Sequence, residues 1–339
     1  MKFIFIGVYC LCIANVMAQN DDTRKVELGA ELTSELQATD KGNYNFANLL
    51  RLEVSLPISS SISIDAASIS AYMTADESIG GDMQTFSNID AGTIPFTLSI
   101  CNVAWQINDR HTLYAGIRNM NVDYFTSPAT SLFTNSSCGI YPTISANYPI
   151  ANYPVASVGI HYRYRSTSSL TERDGVGIQA SLYNGTGYNR FTGRDNIFRF
   201  CPEDDGIFGL TEVTYTRGGS FYSLGNALYC KDGISATPWL YTEQSINRSL
   251  TLLAGYSHAF SADAVCKDFI GCGITYQLGR CQLGAFTDYA HCAEGDEYAT
   301  ELTCKIPIFQ HMDIQPTTHL IAFDGRLHCA ATLRMILSF

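Results

Sequence analysis

The sequence predicts an all-β protein, a transmembrane antiparallel β-barrel of about 16 strands with a long, inward-folded third outer loop. Three observations predict this fold class. Apolar and polar residues alternate along many short runs, and the connections between the runs are alternately long and short. Only 16% of the 339 residues are charged although the mean hydropathy is just +0.02, whereas soluble proteins usually carry about 25% charged residues.

The net charge and the hydropathy pattern exclude two other classes of protein. The chain has 21 basic and 32 acidic residues, a formal charge of -11, which would repel the phosphates of a nucleic acid. After the first 18 residues no stretch approaches the roughly 20 consecutive apolar residues that a membrane-spanning helix needs. We therefore expect no nucleic-acid partner and no helical membrane domain.

The N-terminus has the pattern of a secretory signal peptide, predicted over residues 1–18. Lys2 supplies the positive charge, an apolar run follows over residues 3–17, and Val16 and Ala18 occupy the small-residue positions before Gln19. The barrel is then predicted over residues 19–339.

The predicted strands follow from period-2 alternation punctuated by Gly, Asn, Asp and Ser. Division of the remaining 321 residues by sixteen gives about 20 residues per strand and connection, which suits tilted membrane strands of about 9 to 11 residues. The runs begin near Val26, Phe46, Ile62, Phe96, His111, Val155, Val176, Ile207, Phe221, Trp239, Leu250, Phe269, Gln282, Tyr298, Met312 and His328.

The lengths of the connections indicate which side of the membrane each one faces. The three largest follow odd-numbered runs and cover residues 74–95, 121–154 and 184–205. Most connections after even-numbered runs are short, such as 108–110, 217–219, 278–280 and 309–311. Long loops on one side and tight turns on the other are typical of outer-membrane barrels, with both termini on the periplasmic side.

The charged residues decide which face of each strand meets lipid. In the run from Val155, Val158 and Ile160 share one face and His161 and Arg163 the other. Because an Arg at the bilayer midplane costs about 2 to 4 kcal/mol, the second face is predicted to line the lumen. The same test gives the pore-lining candidates Arg51, Glu53, Arg118, His161 and Arg163. Runs 96–105 and 207–215 change phase midway, which predicts bulges or shifted boundaries.

The last residue, Phe339, ends a strand in which lipid-facing and lumen-facing residues alternate. A terminal aromatic residue is typical of outer-membrane barrels, where it resembles the signal read by the barrel assembly machinery. We therefore expect that machinery and the outer-membrane lipid to be partners of this chain.

Ten cysteines remain after the signal peptide. Cys266 and Cys292 are predicted to lie in neighbouring loops, where a disulfide and two free thiols are both compatible with the sequence. No pair has zinc-ligand spacing and the seven His do not cluster with them. No metal and no cofactor are predicted.

The third outer connection is too apolar for a solvated loop and too rich in Pro for a strand. Packed inside the lumen it would form a constriction over residues 121–154; the alternative is an extracellular lid.

The sequence resembles the carbohydrate-selective (OprB-type) porin family of bacterial outer membranes. The resemblance covers residues 84–89, 116–121, 132–147 and 153–159, with the core Asn-Ser-Ser-x-Gly-Ile-x-Pro-Thr at 135–143. The chain departs from that family at Cys138, where an aromatic residue is usual.

The resemblance implies a sixteen-stranded barrel that passes mono- or small oligosaccharides by diffusion. The chemistry of the residues agrees, because sugar hydroxyls exchange water for charged and amide side chains. The candidates on the constriction loop are Asn135, Ser136, Ser137 and Asn147. For the charged residues, ion pairs that brace the barrel wall are the alternative role.

The sequence therefore predicts an outer-membrane porin for small carbohydrates, with no enzymatic activity and no catalytic residues. A general ion or solute porin and a plugged structural barrel are the alternatives. A hydrolase would need Ser or Asp, His and an orienting partner at one depth of the membrane, and no sequence context of that kind accompanies His161 or His319. Both a monomer and a homotrimer are compatible with such a barrel.

Overall fold

A computed structural model describes residues 25–167, 174–323 and 325–339. The predicted signal peptide, residues 1–18, lies outside these ranges.

The described residues form sixteen antiparallel strands that close into one barrel in chain order, with β1 beside β16. The strands are β1 (Glu27–Thr39), β2 (Tyr44–Pro57), β3 (Ile62–Met73), β4 (Ile94–Asn108), β5 (His111–Arg118), β6 (Ser157–Arg165), β7 (Gly175–Asn184), β8 (Ile207–Arg217), β9 (Ser220–Cys230), β10 (Ile234–Ser245), β11 (Leu250–His258), β12 (Cys266–Leu278), β13 (Cys281–Cys292), β14 (Gly295–Phe309), β15 (Met312–Phe323) and β16 (Arg326–Ser338). This confirms the predicted antiparallel β-barrel and its strand number.

The pairing of the first and last strands shows which side chains point into the barrel and which point outward. Glu35 on β1 is the register partner of Arg334 on β16, and both are buried on the inside of the barrel. The next residue, Leu36, points outward with 55% of its surface exposed. Because the side-chain period of a strand is two, this alternation gives each strand a polar or loop-covered inner face and an apolar outer face.

Three connections between consecutive strands are long, and we name them loop L2 (residues 74–93), loop L3 (residues 119–156) and loop L4 (residues 185–206). L3 contains helix α1 (Pro142–Ser145) and three 3-10 turns, and L4 contains helix α2 (Pro202–Asp205). No helix among the described residues has the length and apolar character needed to cross a bilayer.

The alternation of apolar and polar residues is interrupted in runs 96–105 and 207–215 for two different reasons. In β4 the pairing with β3 shifts register twice, between Ala67 and Ser68 and between Ile69 and Ala71, so the predicted irregularity is present. In β8 the register is regular with both neighbours, and the predicted bulge is wrong. Phe208 and Leu210 instead face inward as buried apolar residues, because L3 covers them.

Candidate functional site

The inner wall of β7 to β13 is apolar where L3 lies against it. Tyr141 of L3 stacks on Phe269 with ring centroids 4.9 Å apart, and Phe133 meets Phe286 at 5.3 Å. Glycines on the wall make room for these rings. A Cβ added at Gly255 would lie 2.7 Å from the Tyr141 hydroxyl, and one at Gly284 would lie 2.8 Å from Phe133. L3 is therefore seated in the barrel by close aromatic contact.

Carboxylates of the wall bind the backbone of L3. Glu301 on β14 accepts hydrogen bonds from the backbone N–H of Thr134 at 2.8 Å and of Asn135 at 2.9 Å. Glu243 on β10 accepts one from the N–H of Ala129 at 3.1 Å. These two side chains therefore hold residues 129–135 of L3 between β10 and β14.

L2 is bound to the same wall and to L3. Glu297 accepts hydrogen bonds from the backbone N–H of Met83 at 2.6 Å and of Gln84 at 3.1 Å. The N–H of Asn88 donates to the carbonyl of Thr134 at 2.7 Å, which ties the two loops together. L2 and L3 therefore fill part of the lumen as one hydrogen-bonded unit.

Asp123, near the start of L3, joins the loop to β5 and β6. Arg118 donates to both of its carboxylate oxygens, from Nε at 2.5 Å and from Nη2 at 2.8 Å, and Arg163 donates from Nη2 at 2.5 Å. Burial alone would raise the pKa of Asp123, but hydrogen bonding and the charge of Arg118 outweigh it, with further help from His161 and Arg163. The pKa of Asp123 therefore lies below its ordinary value, and the carboxylate stays ionised.

The five predicted pore-lining residues all lie on the inner face but differ in accessibility. Arg118 and His161 are buried under L3, so they contact the loop rather than open lumen. Arg163 keeps 25% of its side chain exposed, and the neighbouring pair of Arg51 and Glu53 keeps 31% and 50%. The accessible charges of the predicted set are therefore Arg51, Glu53 and Arg163.

The four predicted loop residues mostly make contacts within the loops or with the wall. Asn135 caps the 3-10 turn over Ser136–Cys138 by accepting the N–H of Cys138 at 2.9 Å. Ser137 is buried and donates to Gln84 Oε1 at 2.6 Å. Asn147 binds both backbone groups of Cys266, donating to its carbonyl at 2.7 Å and accepting its N–H at 3.0 Å. Ser136 is half-buried, and its N–H donates to the carbonyl of Thr85 at 3.1 Å.

Two aromatic residues inside the barrel were not among the predicted site residues. Tyr114 lies half-buried on β5, with Arg118 Cζ 4.4 Å and Arg163 Cζ 5.6 Å from its ring centroid. Phe125 of L3 has a positive φ of 62° and lies 4.8 Å from the ring of Trp239. A non-glycine residue in this conformation is strained and is held there by its surroundings. Lumen-phase alternation could have identified Tyr114, but no local signal identifies Phe125.

The cysteine pair lies elsewhere than predicted. Cys266 and Cys292 are not in loops: they are register partners on β12 and β13, buried under L3. A bulge beside Cys266 disrupts the alternation that would have placed it on a strand. All ten cysteines within residues 25–339 that the structure describes are free thiols. The same residues include no cluster of three or more His, Cys, Asp or Glu able to hold a metal ion.

Ser181, His161 and Asp123 lie in contact inside the barrel, in the residue types of a hydrolytic triad. His161 Nδ1 lies 2.7 Å from Ser181 Oγ and its Nε2 lies 3.4 Å from Asp123 Oδ1. All three are buried, and Ser181 Oγ is also 2.8 Å from the hydroxyl of Tyr124. A serine with no opening to a substrate cannot attack one, so this arrangement supports the seating of L3.

The fold is shared with solved outer-membrane proteins. OprB of Pseudomonas putida, in its high-pH structure, superposes with a TM-score of 0.77 at 13% identity over 93% of this chain and 94% of that one. A mutant of the Rh. blastica porin gives 0.63 at 10% identity over 93% and 100% of the two chains. OmpT of Vibrio cholerae, with its loop L8 deleted, gives 0.62 at 12% identity over 94% and 100%. No known protein-family model and no curated protein matches the sequence. The chain has the fold of the OprB-type porins that its sequence resembles.

Proposed function

We propose that this chain is a porin of the bacterial outer membrane through which small carbohydrates diffuse into the periplasm. The observation that carries the proposal is the set of partly exposed polar and aromatic side chains on the inner wall of the barrel. Arg51, Glu53 and Arg163 supply both signs of charge, and Tyr114 supplies an aromatic face.

This set suits an uncharged polyhydroxylated solute. Sugar hydroxyls both donate and accept hydrogen bonds, so guanidinium and carboxylate groups together can replace the water that a sugar loses in a narrow passage. The Tyr114 ring offers a surface for the C–H face of the sugar. Such contacts must stay weak and multiple, since a tight site would not release its cargo.

The role of L3 in this proposal is to narrow the passage. The loop is bound to the wall on β5 through Asp123 and Arg118, on β10 through Glu243 and on β14 through Glu301. Anchors on strands this far apart around the barrel support a position of L3 across the lumen. The width of the passage is then the part of the lumen that L2 and L3 do not fill.

A plugged structural barrel is the second candidate function. The observation in its favour is that L2 and L3 hydrogen-bond to each other inside the barrel, through Asn88 to Thr134 and through Ser136 to Thr85. If the joined loops closed the lumen completely, the chain would carry no solute.

Liposome swelling distinguishes these functions. Vesicles that contain the folded full-length protein should swell in isosmotic glucose and more slowly in a disaccharide, compared with vesicles that contain heat-unfolded protein. Swelling no faster than the unfolded control in any sugar would refute the carbohydrate proposal. Rapid swelling in salts of small ions with none in sugars would show a general ion porin instead.

A further inference from the structure

The L4 loop folds outward over the barrel rather than into it. Ile197 of L4 is fully buried, and it packs against Ile117 on β5, Leu98 on β4 and Val158 on β6. Ile117 itself is only 3% exposed. This apolar cluster is separate from the one that seats L3.

The position of Ile117 in its strand shows that this cluster lies on the outer surface. Ile117 pairs with Cys101 and with Val158, and these three residues share one face of the sheet. The next residue, Arg118, points to the other face and reaches Asp123 inside the barrel. Because side chains alternate along a strand, Ile117 points away from the lumen, and L4 covers wall that would otherwise meet lipid.

L4 is held in place by a polar network at its two ends. Asp205 accepts hydrogen bonds from Asn184 Nδ2, the Tyr188 hydroxyl and Arg199 Nε, each at 2.9 Å. Within the loop, the N–H of Ile197 donates to the carbonyl of Arg190 at 2.7 Å. The loop therefore has a defined shape on the wall.

The surface that L4 turns away from the barrel exposes aromatic side chains among charged ones. Phe191, Phe198 and Phe200 are 38%, 57% and 59% exposed, and Phe191 stacks on outward-facing Phe96 of β4 with ring centroids 5.7 Å apart. Three exposed phenylalanines in one loop would be costly in water, since each ring carries a large apolar area. Ile117 and Val158 lie at the loop ends of β5 and β6, so this patch lies at the extracellular edge of the lipid-facing band.

We propose that L4 is a membrane strap that inserts Phe198 and Phe200 among the acyl chains of the outer leaflet at the extracellular rim. Aromatic residues concentrate at this depth in membrane barrels. The patch joins the outward apolar wall where Phe191 stacks on Phe96. A second copy of the chain is the less favoured occupant, because Ile197 already covers the wall against which another barrel would pack.

Tryptophan fluorescence in vesicles of brominated phosphatidylcholine tests the strap. The parent is the full-length Trp105→Phe variant, because Trp105 is 47% exposed on the outer face, whereas the remaining Trp239 is buried inside. Phe198→Trp is added to this parent, with Phe200→Trp as a second reporter in case the first fails to fold. Leu182→Trp, on the outer face of β7, is the lipid-exposed control, and Thr126→Trp, on L3, is the control inside the barrel.

The proposal predicts that bromine quenches the indole at position 198 or 200 to the same fraction as the indole at position 182, after subtraction of the parent. Quenching no greater than at position 126 would overturn it. Absent quenching in a sample that migrates as an oligomer would also overturn it and assign the patch to a second copy. The strap rests on the membrane location proposed above, and the Leu182→Trp control tests that location separately: if it too is unquenched, the membrane proposal fails rather than the strap.

Discussion

Arg118 on β5 and Asp123 on L3 form a two-pronged ion pair inside the barrel, with Nε to Oδ2 at 2.5 Å and Nη2 to Oδ1 at 2.8 Å. Asn102 accepts a third hydrogen bond from Arg118 at 2.7 Å. Both charged side chains are buried, with exposures of 7% and 0%. This pair fixes the point where the chain leaves the wall and enters the lumen.

Replacement of Arg118 by Ala is expected to weaken the barrel and change permeation. It leaves Asp123 buried with only Arg163 and His161 beside it, and breaking a buried pair costs about 3–5 kcal/mol. The free energy of urea unfolding in lipid vesicles should fall by about that amount, with altered sugar flux or ion selectivity in the folded fraction. Lys305→Met is the matched control, because its pair with Asp313 is about a third exposed and should contribute about 0–1 kcal/mol. Equal effects of the two variants would contradict this role of Arg118.

The pH dependence of L3 seating follows from Asp123. Its pKa is lowered in the folded protein, so its stabilising contribution is fully present above the pKa of the unfolded chain and is lost only as pH falls through the lower folded value. Sugar flux should therefore be unaffected by Asp123 between about pH 7 and about pH 5. The measurement is the ratio of swelling rates of the wild type and Asp123→Asn across this range. A ratio that changes with pH above about 5 would disagree with a lowered pKa.

Replacement of Glu301 by Gln is expected to loosen L3 without unfolding the barrel. The carboxylate accepts two backbone N–H groups, from Thr134 and Asn135, whereas an amide offers one acceptor and turns a donor toward the other. Proteolysis at the exposed loop residues 126, 128 and 131 should be faster by about tenfold, corresponding to about 1.4 kcal/mol. Glu53→Gln, on the accessible inner wall, is the control and should leave the cleavage rate unchanged. Resistance to protease equal to that of the wild type would refute the role of Glu301.

Replacement of Gly284 by Val is expected to displace L3 although Val is the better strand residue. A Cβ there would lie 2.8 Å from Phe133 and 2.9 Å from Leu132, so the loop must move away. Gly209→Val provides a control, since its Cβ would meet Leu182 at an ordinary 3.4 Å on the outer face. Near-ultraviolet circular dichroism should report the lost aromatic packing in the first variant alone. An unchanged spectrum would mean that the wall glycines do not seat the loop.

The strands and the facing of their side chains could be predicted from the sequence because both depend on local alternation of apolar and polar residues. Arg163 and Ile160, three residues apart, face opposite sides as the cost of a charge in lipid requires. The alternation could not predict which residues of the inner and outer faces of the barrel are covered by loops. Phe208 faces inward because Tyr148 of L3 lies over it, with ring centroids 5.9 Å apart. Ile117 faces outward yet is buried because Ile197 covers it. Both contacts join residues far apart in the chain, and the local period-2 alternation cannot predict such contacts.

The carboxylates that hold the loops were missed for a related reason. The alternation of each strand puts these carboxylates on the inner face: Glu301, Glu297 and Glu243. Their partners, however, are backbone N–H groups of L2 and L3, which no side-chain pattern reveals. Asp123 was placed in the constriction loop by sequence, whereas its pairing with Arg118 and Arg163 depends on how the chain enters the barrel.

Single-channel recording in planar lipid bilayers tests most directly whether the barrel with L2 and L3 seated is an open pore. The full-length protein, added at low concentration, should produce discrete conductance steps of one size, and a disaccharide added to the bath should reduce the current through each step. Insertion without any conductance step, verified by heat-modifiable mobility of the recovered protein, would contradict an open pore and identify a plugged barrel.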